Sequence, residues 1–135
     1  MTREEFIALP DMAAEIWRRS QQIQRLKSRL TSPKGLDTRE KVQSSGSGSN
    51  MADVMVDMQA DVDIMLSVYN SMIEEASELI DDKLKGYPEL MLLTSLRYLK
   101  SRKWSEITAI MGYAPSTVFR MKDQALALLF NGEEL

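Results

Sequence analysis

Residues 97–122 concentrate basic side chains. Arg97, Lys100, Arg102, Lys103, Arg120 and Lys122 stand against one acid, Glu106, for a local charge of +5. Cations in such excess suit the neutralisation of phosphate oxygens, which fixes a nucleic-acid partner's position without reading its sequence. Around Arg120 lie Ser116, Thr117 and Phe119, the candidates to reach base edges beside it. Arg97, Lys100, Arg102, Lys103 and Lys122 are the candidates for the phosphates. This is chemistry of recognition rather than of bond making. The chain has no Cys and no His, which removes disulfides, the usual structural zinc sites and nucleophile–imidazole pairs. No set of residues has the pattern of an acid–base or nucleophilic site. The expectation is a protein that is not an enzyme and uses no cofactor and no metal.

The elements that must position these residues read as helices. Glu89 to Lys100 carries Leu90, Leu93, Leu96, Arg97 and Leu99 at helical spacing, an apolar face. Ser101 to Lys103 is a short basic bend. Trp104 to Met111 reads as a two-turn helix with Ile107, Ile110 and Met111 inward. Gly112 stands where a left-handed C-terminal residue is expected, and Pro115 suits the first position of the next helix. That helix reaches about Phe130, with Val118, Met121, Ala125, Leu128 and Leu129 on one side, and Gly132 ends it. A short helix, a Gly-containing turn and a following helix form the plan of a helix-turn-helix, in which the first helix props the second against the DNA major groove.

Ahead of this unit, Gly86-Tyr87-Pro88 breaks a long helix expected over residues 51–85. Met51, Met55, Met58, Val62, Met65, Tyr69, Met72, Ala76 and Leu79 recur in steps of four and three, a heptad seam of four repeats. Leu66, Ile73 and Ile80 widen the seam in its later half. A row of Met can be an adaptable groove, but at this spacing it reads as a packed helical core. Residues 3–31 read as a helix, with Met12, Ile16, Ile23, Leu26 and Leu30 inward and Pro10 marking a start near Pro10 and Asp11 after a separate short turn. Residues 32–50 are a connection: Pro33 and Gly35 stop the helix, and Ser44 to Asn50 is polar with no packing face. That run fits either a native loop or an engineered join. The expected organisation is therefore all-α: 1–85 a long antiparallel helical hairpin or coiled coil with a flexible loop at 32–50, and 86–135 a DNA-binding helix-turn-helix domain.

Charge divides along the same lines. The net charge of −3 combines +3 over residues 1–43, −7 over 51–88 and +1 over 89–135. A basic first helix and an acidic second one should meet, within a chain or between chains. Asp53, Asp57 and Asp61 form one stripe at helical steps of four. A metal site or a DNA-mimicking surface would use such a stripe. A solvated face partly paired with Arg18, Arg25 and Arg29 is the plainer reading and the one favoured. The first ten residues lack the apolar core of a signal peptide, no apolar run is long enough to span a membrane, and the absence of Cys fits a reducing cytoplasm.

The stretch LLTSLRYLKSRKWSEITAIMGYAPSTVFRMKDQALALL resembles the helix-turn-helix of sigma factor region 4. More closely, it resembles a group of small phage and prophage proteins of Gram-positive bacteria. The shared pattern falls here on Arg97, Tyr98, Trp104, Ile107, Met111, Gly112, Tyr113, Val118, Arg120, Ala125 and Leu126. The resemblance extends to the front, with a helix, a Ser/Gly-rich loop and a long helix beginning Met-Ala-Asp; it is specific at the C-terminus and loose elsewhere. It implies a part in late-gene transcription. Ala114 stands where the pattern usually has Ser, the natural cap, at a cost of about 1 kcal/mol that Pro115 offsets in part. The expected function is a phage-type transcription regulator that binds double-stranded DNA and forms a homo-oligomer through residues 51–80. The alternative is a module that binds RNA polymerase or another protein with little DNA affinity of its own. A DNA-packaging adaptor also joins a helix-turn-helix to a coiled coil, but generally in the opposite order, and ranks last.

Overall fold

A computed structural model describes residues 1–31 and 45–131, with side chains at 1–30 and 50–131. The described residues are almost wholly helical and contain no strand, so the chain is all-α as its composition leads one to expect. The helices are α1 (Arg3–Ile7), α2 (Leu9–Thr31), α3 (Ser45–Lys83), α4 (Pro88–Thr94), α5 (Trp104–Met111) and α6 (Pro115–Phe130), with a π-helical turn at Ser95–Leu99 between α4 and α5.

Local chemistry accounts for the breaks. The Thr2 hydroxyl accepts from the Glu5 amide at 3.1 Å and the Glu5 carboxylate accepts from the Thr2 amide at 2.8 Å, a reciprocal cap that starts α1. Pro10 has no N–H to give the preceding turn, and the chain divides at Ala8 into α1 and α2. The separate turn expected before Pro10 is thus present. The stretch 45–50, expected to lie in the connection, is instead the first part of α3. Its Ser and Gly residues lower helix propensity by roughly 1 kcal/mol per Gly, but extending an existing helix costs much less than nucleating one. The rest of that connection, 32–44, and the expected stop at Gly132 lie outside the described residues.

The chain forms two compact units, Met1–Ala13 with Tyr69–Leu135, and Ala14–Val68. These limits do not follow the break at Gly86, because α1 and the later part of α3 share a core with α4, the π-helical turn and α6. In that first unit Phe6, Leu9, Ala76, Ile80, Leu84, Leu90, Tyr98, Ala125, Leu126, Leu128 and Leu129 are buried together. The Phe6 ring lies 4.5 Å from that of Tyr98 and 5.4 Å from that of Phe130, tilted and edge-on respectively, arrangements that aromatic quadrupoles favour. Burial pushes the Tyr98 phenol above its ordinary pKa. A second cluster, Leu93, Ile107 and Val118, joins α4, α5 and α6. In the second unit Ile16, Ile23 and Val62 are buried.

Every position of the heptad seam over 51–79 is at least half-buried. Of the residues expected to widen it, Ile73 and Ile80 are covered while Leu66 remains 42% exposed. Leu66 falls in the second unit and Ile73 and Ile80 in the first, where the core that covers them lies.

Candidate nucleic-acid interface

The candidate residues sit on three elements. α4 leads into the π-helical turn, and Thr94 explains the change of pitch. Its buried hydroxyl donates to the carbonyls of Leu90 at 2.8 Å and Met91 at 3.1 Å. Such back-bonding bends helices, and a π turn absorbs the bend. The turn closes when the Lys100 amide donates to Ser95 at 3.0 Å and the Arg102 amide to Leu96 at 2.9 Å. The expected regular helix to Lys100 is therefore α-helical only to Thr94. Ser101 follows with φ 56°, in the left-handed region, and its hydroxyl is buried with no partner among the described residues.

α5 covers the residues expected of it, Trp104–Met111. Glu106 accepts from the Lys103 amide at 3.0 Å and lies 3.5 Å from the Arg102 guanidinium. These contacts, the backbone bond foremost, hold its carboxyl below the usual carboxylate range. The Lys103 ammonium cannot accept a hydrogen bond, so the cap is one-sided. Gly112 takes φ 76°, as a helix C-terminus of this kind requires. Ile107 is fully buried and Met111 half-buried, but Ile110, expected inward, is 54% exposed. A two-turn helix resting on one neighbouring cluster buries a narrow stripe, and Ile110 falls outside it.

α6 begins at Pro115 despite the missing cap: Ala114 is extended, and the Val118 amide still reaches the Ala114 carbonyl at 3.0 Å. The turn before it is tied to the start of α4, where the Tyr113 hydroxyl donates to the Glu89 carboxylate. That bond raises the Tyr113 phenol pKa. The apolar face of α6 is as expected, with Val118, Ala125, Leu128 and Leu129 buried and Met121 half-buried; Leu126 joins them.

The candidates divide by environment. Ser116 and Arg120 are exposed on the same side of α6, opposite buried Val118 and Ala125, and Thr117 is half-buried beside them. Lys100, Arg102 and Lys103 are exposed on the bend. Arg97 and Lys122 are half-buried and already engaged. Arg97 donates to the Arg102 carbonyl at 3.0 Å and lies 5.1 Å over the Trp104 ring. Lys122 lies 5.6 Å over the Phe119 ring and 3.3 Å from Asp123. Trp104 and Phe119 are themselves 5.2 Å apart. The four form a cation–aromatic–aromatic–cation ladder linking the π turn, α5 and α6. Sequence reasoning missed that ladder. Its one signal was two aromatics, Trp104 and Phe119, near the ends of a basic stretch without an assigned apolar face.

Among the described residues no helix is long and apolar enough to cross a membrane, and no cluster of three acidic residues could hold a metal ion. The comparisons with known proteins found no family model, no curated protein and no solved structure that matches this chain.

Proposed function

We propose that α5, the Gly112 turn and α6 act as a helix-turn-helix that binds double-stranded DNA, and that the chain is a transcription regulator of the phage type its C-terminal sequence resembles. The observation that carries the reading is the joint exposure of Ser116 and Arg120 at the start of α6 with Lys100, Arg102 and Lys103 on the bend before α5. The N-terminal part of α6 offers the base-reading groups and the bend offers phosphate contacts. Arg97 and Lys122 brace Trp104 and Phe119, and so orient α5 and α6 more than they neutralise phosphate. The long helices supply oligomerisation, which lets two reading heads act together.

Fluorescence anisotropy of a labelled duplex tests this. Binding should weaken steeply with salt, and Arg120→Ala should lose about 10- to 100-fold at a preferred site, the cost of one good base contact. Unchanged affinity in that variant removes Arg120 from the interface. No binding by the folded chain at low salt removes DNA as the partner.

A second reading, binding of RNA polymerase or another protein, is favoured by the exposure of Leu92 and Ile110 in the same unit. Capture of core polymerase without DNA, lost in Ile110→Asp, distinguishes it.

A further inference from the structure

The two helical stretches of the second unit carry opposite and equal charge. Residues 14–31 of α2 hold Arg18, Arg19, Arg25, Lys27 and Arg29 against Glu15, a charge of +4, and residues 45–68 of α3 hold Asp53, Asp57, Asp61 and Asp63 with no base, a charge of −4. The helices do meet, at an open cleft of about 460 Å³ lined by Glu15, Arg18, Arg25, Met58, Asp61 and Val62 among others. Yet the ion pairs given by Arg18 and Arg19 do not cross it. Arg18 and Arg19 both bind Glu15 on their own helix, at 2.6 and 2.8 Å, and no ion pair among the described residues reaches Asp57 or Asp61.

Beside the Met seam α3 has a second stripe, Val54, Asp57, Asp61, Ile64 and Val68, again in steps of three and four. Its three apolar members are 51%, 63% and 50% exposed. Asp61 belongs to both the stripe and the cleft, so the stripe borders the cleft at that residue. Among the described residues these two stretches bury only Ile16, Ile23 and Val62, a small core for a free-standing helix pair. A surface bearing a basic helix face beside an acidic one with exposed apolar side chains is complementary to itself when a two-fold axis sets basic helix on acidic helix.

We propose that this face docks a second copy of the chain. The Val54–Val68 stripe of each copy packs against α2 of the other, which sets Asp57 and Asp61 of one copy against Arg18 and Arg25 of its partner, as a four-helix bundle. This deepens the oligomerisation in the proposed function and rests on that part of it, not on DNA binding.

The test is done on the full chain without DNA, by light scattering after size exclusion. The wild type should have twice its 15.4 kDa chain mass. The double variants Asp57→Lys/Asp61→Lys and Arg18→Glu/Arg25→Glu make each copy repel its like, so each alone should be monomeric. Mixed in equal amounts they should recover the dimer mass, because each basic copy then meets an acidic one. Circular dichroism checks that they remain helical. Ile64→Ser/Val68→Ser, at exposed positions, gives an independent variant that should also be monomeric. A monomeric wild type, a serine variant that stays dimeric, or charge variants that stay monomeric when mixed would each overturn the proposal. A monomeric wild type whose DNA binding still depends on Arg120 removes this surface alone, and a dimeric wild type that binds no DNA removes the DNA reading alone.

Discussion

Ser101 follows the π-helical turn in a backbone conformation that L side chains adopt at a cost of about 1–2 kcal/mol, and its hydroxyl is buried without a partner among the described residues. Glycine removes both penalties and adds back about 0.5–1 kcal/mol of unfolded-chain entropy. Ser101→Gly should therefore stabilise the unit by about 1 kcal/mol, read as a higher thermal midpoint; a lower midpoint would show that the hydroxyl finds a partner. The site matters because Arg102 and Lys103 follow directly, and the left-handed residue sets the direction in which this basic pair leaves the turn. Strain next to a candidate binding residue is a common arrangement. Arg120 differs: nothing in its own element engages it, and its proposed worth lies wholly in what it can bind.

α5 is short and starts without a side-chain acceptor at its cap, so Glu106 carries much of its N-terminal definition. Its carboxyl pKa is lowered in the folded chain. The stability it contributes is therefore fully present above the unfolded carboxylate value of about 4.3 and is lost as pH falls through the lower, folded value. Glu106→Gln should flatten the acid side of a plot of thermal midpoint against pH while lowering the midpoint near neutrality. A parallel acid limb in the variant would place the effect elsewhere. At this scale most of the architecture was legible: the bounds of α5 and α6, the left-handed Gly112 and every position of the Met seam follow from periodicity and capping chemistry. The π turn was not, because Thr94 looks like any polar residue in a helix until its burial directs its hydroxyl onto the preceding carbonyls. The inward assignment of Ile110 failed because periodicity gives a helix's apolar side but not the width of what covers it. Among the candidate site residues, the charges of Arg97 and Lys122 were visible and their engagement with Trp104 and Phe119 was not, since that contact joins residues from three elements.

One unit draws its core from both ends of the described chain: Phe6 and Leu9 of α1 and α2 are fully buried among Tyr98 and the end of α6. No local pattern announces this, since α1 has five residues and one buried side chain. The consequence is testable. Phe6→Ala removes a ring packed on Tyr98 and Phe130 and should cost about 3–5 kcal/mol, measured by denaturant unfolding. It should also weaken the proposed DNA binding at temperatures where the unit begins to open, although Phe6 is far in sequence from every candidate contact. A loss below 1 kcal/mol would mean that α1 is dispensable to this core.

The two tryptophans of the chain fall one to each compact unit. Trp17 is 64% exposed, whereas Trp104 is half-covered between the Arg97 guanidinium and the Phe119 ring. The molecule thus carries two optical reporters in unlike surroundings. With Trp17 replaced by Phe, the remaining emission comes from the ladder that braces α5 and α6. A duplex that disturbs Phe119 or Arg97 on binding would then announce itself as a change in the colour of the protein's own light, with no label attached.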